Sequence, residues 1–209
     1  TEKDIKIYAT YFKEVDAKRG VIKCDIRKEQ DVKKTLDYIA KREKKLDIVV
    51  NSVTSPLKLK LFEQLTADEF KEDLDVIVLG AYNVYKQSIP LMKKNKGGVI
   101  VNLLTSTLWE NPLPARMSSY IAAKFGLLGL TKSLGPELVQ YGIRVLSVSP
   151  SFVETDLIKT FPHKLLEIER EKRSNKSFLQ PSEIAEVIYN IINNEKEYPT
   201  GSNIILYES

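Results

Sequence analysis

The feature that most constrains the fold is a regular alternation of short β-rich runs with longer segments of helical periodicity. Residues 46–53 have a continuous apolar centre, which is typical of a strand that is buried on both faces. Residues 31–44 instead repeat Val32, Leu36 and Ile39 at helical spacing. Strands that alternate with helices in this way predict a parallel sheet covered on both faces, an α/β fold.

The same patterns give bounds for the elements. Strands are predicted at residues 4–11, 20–26, 46–53, 99–104, 143–148 and 203–207, and helices at 31–44, 67–94, 118–141 and 181–192. Thr66 and Glu69 have the spacing of a capping box at the start of the second helix. Gly142 is placed to cap the end of the third, and Pro181 suits the first turn of the fourth.

The composition is that of a soluble globular protein of one domain. The chain has 209 residues, of which 43% are hydrophobic and 29% are charged. Its formal net charge is +4, with basic and acidic residues interleaved throughout. Such interleaving indicates a solvated surface, so nucleic acid is not an expected partner.

Several other classes of function are excluded. Cys24 is the single cysteine and His163 the single histidine, so neither a disulfide framework nor a Cys/His zinc site is expected. One cysteine and no secretory signal pattern indicate a reducing compartment, which predicts a cytoplasmic protein. No apolar run approaches the ~20 residues that span a bilayer, and no membrane role is expected.

Ligands of parallel sheets bind beyond the carboxyl ends of the strands. Residues 24–26, 51–54, 104–106 and 149–151 occupy those ends and carry most of the polar side chains to consider. The helix predicted at 118–141 carries a further candidate pair, Tyr120 and Lys124, which share one helix face. A lysine ammonium beside a phenol favours the phenolate and would lower the tyrosine pKa from ~10. The spacing alone is common among surface residues and indicates little.

The surrounding sequence strongly resembles the short-chain dehydrogenase/reductase family, and within it the 3-oxoacyl-[acyl-carrier-protein] reductases. The residues that carry the resemblance lie at 79–84, 111–112, 118–134, 141–145, 149–156 and 180–185. The likeness extends from about residue 5 to residue 206. It implies a Rossmann-like, doubly wound parallel sheet in a three-layer α/β/α domain that spans residues 1–209.

The resemblance also implies an activity, NAD(P)H-dependent reduction of a ketone or acyl thioester by hydride transfer. Tyr120 would be the general acid/base, and Lys124 would lower its pKa and bind the nicotinamide ribose. The hydroxyl that orients the substrate is assigned to Ser106. Thr105, which alignment of the preceding strand puts at this position, and Thr107, which fits the spacing counted back from Tyr120, are left open.

Cofactor contacts are implied in the same way. The matching positions are Asp25, Ile26, Asn51, Tyr120, Lys124, Pro150, Val153 and Thr155. Asp25 and the Ile26 backbone would meet the adenine, and Thr155 the carboxamide or phosphate side. Asp25 as a helix-start acid and Asn51 as a strand-end cap are the structural alternatives. NADP(H) is favoured over NAD(H), because Lys13, Lys18 and Arg19 could serve a 2′-phosphate.

Three departures from the family pattern qualify this prediction. The Asn-Asn-Ala-Gly motif is replaced by residues 51–54, which contain no glycine, and Ile77 stands at the asparagine of the catalytic tetrad. The third departure is that the first strand, the glycine-rich turn and the first helix have no counterpart. Without that central strand its neighbours would lie about 10 Å apart with both ladders unpaired.

Two explanations of this third departure are open. The expected one is a natural polypeptide that begins earlier, by a strand-turn-helix unit of ~30 residues. The alternative is a short chain with a rearranged sheet and weak cofactor binding, which would favour a catalytically impaired partner subunit over an enzyme.

Two further expectations follow from the resemblance. A homodimer or homotetramer would pack the helices at 67–94 and 118–141 against their copies, with apolar residues available at Phe125, Leu127, Leu128 and Leu130. Residues 152–177 would form a mobile substrate lid, in which His163 is an ordinary lid residue.

Overall fold

A computed structural model describes residues 5–12 and 21–207. The strands are β1 (Ala9–Tyr11), β2 (Val21–Lys23), β3 (Ile48–Asn51), β4 (Gly98–Leu103), β5 (Ile143–Pro150) and β6 (Asn203–Leu206). The helices are α1 (Glu29–Glu43), α2 (Ala67–Leu74), α3 (Gly80–Lys94), α4 (Ser118–Leu138), α5 (His163–Glu171) and α6 (Pro181–Asn193). Residues 4 and 20, at the starts of the first two predicted strands, lie outside the described residues.

All the described strands are parallel, and helices cover both faces of the larger sheet. Adjacent residues of β4 show this: Ile100 packs with the α3 and α4 side chains, whereas Val101 packs with Ile191 of α6. Side chains that alternate along a strand point to opposite faces. The predicted three-layer α/β/α arrangement is therefore confirmed.

The sheet is divided in two. Strands β3-β4-β5-β6 form one part and β1-β2 the other. Within the described residues, β1 pairs with β2 and β3 pairs with β4, so each has one edge without a strand partner. Tyr11 of β1 and Val50 of β3 line a common cavity, and the Val50 side chain is left 42% exposed. A continuous sheet is thus interrupted between β1 and β3.

The long helix predicted at 67–94 is two helices joined by a π-helical turn, Asp75–Leu79. Its capping box is confirmed, because Thr66 Oγ1 accepts from the Glu69 amide at 3.2 Å and Glu69 accepts from the Thr66 amide at 3.0 Å. Over five residues, the apolar spacing of a π turn does not differ detectably from that of an α-helix, which explains why the sequence missed the interruption.

Gly142 caps the segment that follows α4, as predicted, with a left-handed φ of 70°. A Cβ at this position would lie 2.9 Å from the Lys96 carbonyl oxygen. Both the φ and the close approach require glycine. The last turn of the predicted helix, Val139–Tyr141, is 3-10 instead of α. In the described part of the chain, no helix combines the length and the apolar character needed to cross a membrane.

Candidate active site

The carboxyl ends of β3, β4 and β5 open into a cavity of about 890 Å³. Its walls come from the residues after these strands, from α4 and from residues 150–161. The predicted site residues that line it are Ser106, Tyr120, Lys124, Pro150, Val153 and Thr155. These residues are far apart in the sequence, and the parallel sheet brings them together because its strands end at one edge.

Tyr120 and Lys124 lie on α4 and are both buried, with 7% and 3% exposure. Lys124 Nζ lies 5.6 Å from the centre of the Tyr120 ring and donates a 2.6 Å hydrogen bond to the Leu103 carbonyl. The predicted pairing on one helix face is therefore present. The ammonium is anchored on the end of β4 beside the phenol.

The expected low pKa of Tyr120 is not found. Burial raises the pKa of the phenol above its ordinary value, the charge of Asp73 raises it further, and a hydrogen bond with Thr105 opposes both effects. Burial also lowers the pKa of Lys124 to about 8. The prediction considered the attraction between the two side chains and left out the cost of burying each charge, which is the larger effect here.

Of the three candidate hydroxyls, that of Thr105 is the one that interacts with the Tyr120 phenol and lowers its pKa. Thr105 caps the 3-10 turn Ser106–Trp109, and its Oγ1 lies 2.9 Å from Thr107 Oγ1. All three candidate hydroxyls line the cavity. The choice of Ser106, with Thr105 and Thr107 left open, stays a prediction, and Thr105 has the interaction with Tyr120 in its favour.

Asn51 does not line this cavity, although Val50, Ser52 and Thr54 do. Its side chain donates to Asn102 Oδ1 at 2.8 Å. Asn102 is fully buried, also accepts from the Tyr85 hydroxyl and donates to Thr131 on α4. This network joins β3, β4, α3 and α4 and gives the Asn51 side chain a structural role, while its predicted cofactor contact stays a prediction.

Asp25 and Ile26 also lie outside the main cavity. Arg27 donates to both carboxylate oxygens of Asp25, at 2.8 and 2.9 Å, and holds the pKa of that carboxyl below its ordinary value. Asp25 lines a second cavity of about 520 Å³ beside α1. The Ile26 carbonyl accepts from Asn83 at 2.9 Å. The structure does not unite the predicted adenine contacts with Tyr120.

The cavity residues fit one half of a nicotinamide dinucleotide. The Ser52 and Thr155 hydroxyls and the Lys124 ammonium are donors suited to a ribose and a carboxamide. Within the described residues no glycine lines the cavity. Lys13, Lys18 and Arg19, on which the NADP(H) preference depends, lie outside the described residues.

Residues 152–177 form one wall of the cavity. They contain the 3-10 turn Asp156–Thr160 and α5, which pack around Ile158, Leu166 and Phe178. His163 is exposed at the start of α5, 3.3 Å from Glu167, and is not among the residues that line the cavity.

Comparisons with known proteins find relatives of the kind that the sequence resembles. The sequence model of the enoyl-(acyl carrier protein) reductase family matches residues 2–206. The 3-oxoacyl-[acyl-carrier-protein] reductase of Thermotoga maritima is 28% identical over 174 residues, 83% of this chain and 69% of the relative.

Solved structures give the same result. The 3-ketoacyl-(acyl-carrier-protein) reductase of Brucella melitensis, complexed with NADH, has a TM-score of 0.80 at 27% identity and covers 90% of this chain and 76% of its own. The aldohexose dehydrogenase of Thermoplasma acidophilum has a TM-score of 0.84 and covers 95% and 81%, but at 22% identity it shows the fold alone.

Proposed function

The chain belongs to the short-chain dehydrogenase/reductase family and is an NAD(P)-dependent oxidoreductase, and from this premise we propose that it reduces the ketone of a 3-oxoacyl thioester with Tyr120 as the proton donor. The observation that carries the proposal is the burial of Tyr120 and Lys124 together in the cavity at the carboxyl ends of the strands.

The chain's own residues supply the proton chemistry. The bound dinucleotide would supply a hydride to the carbonyl carbon. Tyr120 is protonated at neutral pH, since its pKa is raised, and it can donate its phenolic proton to the carbonyl oxygen as negative charge develops there. Thr105 is placed to orient that oxygen through a hydroxyl hydrogen bond. Lys124, with a pKa of about 8, is mostly cationic at pH 7 and stabilises the resulting phenolate.

Cofactor binding is proposed for Lys124, Pro150, Val153 and Thr155, which share the cavity with Tyr120. We retain NADP(H) as the preferred cofactor, a proposal that depends on residues 13–19. Titration of the protein with NADPH and NADH, followed by nucleotide fluorescence, tests the preference. Tighter binding of NADH would overturn it.

The thioester substrate is supported by the 3-oxoacyl reductases among the relatives and by the apolar part of the cavity wall. That part includes Leu57, Met117, Phe152, Leu157, Ile158 and Phe161. Four of the six belong to residues 152–177, which we propose act as the substrate lid. An apolar wall suits an acyl chain better than a fully hydroxylated substrate.

The experiment is an assay of NADPH oxidation with a 3-oxoacyl thioester. Tyr120→Phe removes the proton donor and is expected to lower kcat by about 10²-fold or more while NADPH still binds. Tyr189→Phe, at an exposed position on α6, is the matched control and should keep full activity. Unchanged kcat in Tyr120→Phe would exclude the proposed proton donor.

A second candidate function is a catalytically impaired partner subunit. The residue that favours it is Ile77, which is 2% exposed and belongs to the same core cluster as Tyr120. An isoleucine side chain forms no hydrogen bond and so cannot take part in a proton relay. Failure of the intact protein to bind NADPH would support this alternative over the enzyme.

Self-association is a further part of the proposal. An exposed apolar face is available for a second copy. It consists of Phe125 on α4, Leu79 at the end of the π turn and Tyr82 on α3, each 41–47% exposed. Leu127, which the sequence assigned to the same interface, is buried in the chain's own core. Sedimentation analysis is expected to show a dimer or tetramer.

Finally, we propose that the interruption between β1 and β3 holds an additional parallel strand from a unit that precedes the sequence given. The supporting observation is that, within the described residues, each of these strands has one edge without a strand partner and both strands line one cavity. An added strand would pair the backbone groups of both edges.

A further inference from the structure

A buried carboxylate lies beside the site without being one of its reacting groups. Asp73 of α2 is 1% exposed. Its carboxylate accepts hydrogen bonds from the Ser55 hydroxyl, from the Ser119 hydroxyl at 2.5 Å and from Lys58 Nζ at 2.9 Å. A buried carboxylate requires such partners, because an unpaired one would cost several kcal/mol.

These three partners come from two different segments. Ser55 and Lys58 follow β3 in the stretch that also gives Thr54 and Leu57 to the cavity wall. Ser119 is in the first turn of α4 and directly precedes Tyr120. Asp73 therefore ties the loop after β3 to the start of the helix that carries the phenol.

The charges around Asp73 are few. Lys58 is 12% exposed and also lies 3.1 Å from Glu72. From α4 the titratable group that the charge of Asp73 reaches is Tyr120, and the polar neighbour of the phenol from the residues after β4 is Thr105. The negative charge of Asp73 acts on the Tyr120 phenol and disfavours its ionisation, and Lys58 partly offsets that charge.

We propose that Asp73 and Lys58 form a positioning pair for Tyr120, in which Asp73 fixes the first turn of α4 through Ser119 and places a negative charge near the phenol, and Lys58 partly offsets that charge. The inference rests on the proposed role of Tyr120 as proton donor. A negative charge beside a phenol raises its pKa, so Asp73 makes Tyr120 a weaker acid in ketone reduction and its phenolate a stronger base in the reverse reaction, alcohol oxidation.

The test measures ionisation of Tyr120 directly, without requiring activity. The full chain is labelled with 3,5-difluorotyrosine, whose ring fluorines bring phenol titration into an accessible pH range, and ¹⁹F NMR follows each tyrosine. Tyr120→Phe identifies the resonance. Asp73→Asn is expected to lower the Tyr120 midpoint by about one pH unit, and Lys58→Gln to raise it by a smaller amount.

Lys60→Gln is the matched control. Lys60 lies two residues from Lys58 and pairs with Glu69 at 2.6 Å instead of with Asp73, so its loss should leave the midpoint unchanged. A midpoint that does not fall in Asp73→Asn, or that falls equally in Lys60→Gln, overturns the inference. Because the two proposed variants shift the midpoint in opposite directions, either one that folds provides a test.

A kinetic arm separates this inference from the proposed function. If the protein oxidises the corresponding alcohol, the midpoint of its pH-rate profile should fall in Asp73→Asn by the same amount as the NMR midpoint. A purely structural role would lower the rate at every pH and leave the midpoint in place. An NMR shift in a protein without activity would support the charge effect and reject the enzyme.

Discussion

Lys124 illustrates how burial decides the chemistry of a single residue. The sequence correctly predicted that it shares a helix face with Tyr120, because that follows from helical spacing. The sequence could not predict the protonation behaviour of the pair, which depends on burial and on the carbonyl of Leu103, 21 positions away. The burial of Asp73 was likewise not predicted. The sequence did contain a signal for it, because Asp73 lies three residues after Phe70 and four before Ile77, on the apolar face of the helix.

The low pKa of Lys124 predicts a specific pH dependence of stability. Its pKa is about 8 in the folded protein and ~10.4 when unfolded, so between these values the unfolded state binds more protons. The free energy of unfolding should therefore rise with pH across this window, by up to about 3 kcal/mol. Urea unfolding at pH 7.5 and 9.5 measures the change.

Lys124→Met keeps the length of the side chain and removes the titration. The contribution of Lys124 is the difference between the two proteins, which corrects for the titration of other groups such as Tyr85, whose pKa is raised by burial. Equal pH dependence of the unfolding free energy in both proteins would show that the pKa of Lys124 is not lowered by folding.

At the scale of elements, the positions of helices and strands were well predicted where local chemistry defines them. The capping box at Thr66 and the glycine at 142 fix their helix ends in sequence and in structure alike. The π turn at Asp75–Leu79 was missed, because an extra residue in one turn leaves no distinct pattern. It lies where Val78 packs against Gly126 so closely that a Cβ there would be 2.9 Å from Val78 Cγ2.

Two glycine substitutions test how backbone conformation limits these elements. Gly142→Ala places a side chain at φ 70° and 2.9 Å from the Lys96 carbonyl, so it should destabilise the protein by about 1–2 kcal/mol or more. Gly129→Ala, in α4 where a Cβ meets nothing within 4 Å, should stabilise it by up to about 1 kcal/mol. Denaturant unfolding compares the two, and equal effects would contradict the assignment.

At the scale of the molecule, the divided sheet predicts unequal protection of backbone amides. Strand β5 is buried along its whole length between two neighbours, whereas β3 has one edge without a strand partner in the described residues. Hydrogen exchange should be slow in residues 143–150 and faster in residues 48–51. Equal protection of the two strands in the 209-residue chain would mean that the free edge of β3 is shielded from solvent.

The natively expressed protein adds a complementary measurement. An intact mass about 3 kDa or more above 23.8 kDa is expected if a strand-turn-helix unit of ~30 residues precedes residue 1. In that longer protein, exchange in residues 48–51 should slow toward the rate in β5. A mass of 23.8 kDa would contradict the proposal of an additional strand.

Periodicity, caps and helical spacing are local properties, so the fold class, most element positions and the Tyr120–Lys124 pair could be predicted from the sequence. Which strand-end residues share a cavity depends on how the chain folds. Thr105 and Thr155 line that cavity. The Asn51 side chain instead joins a buried hydrogen-bond network, Asp25 pairs with Arg27, and the Ile26 carbonyl accepts a hydrogen bond from Asn83. Side-chain direction, burial and charge balance depend on contacts between distant segments, and a linear pattern does not contain them.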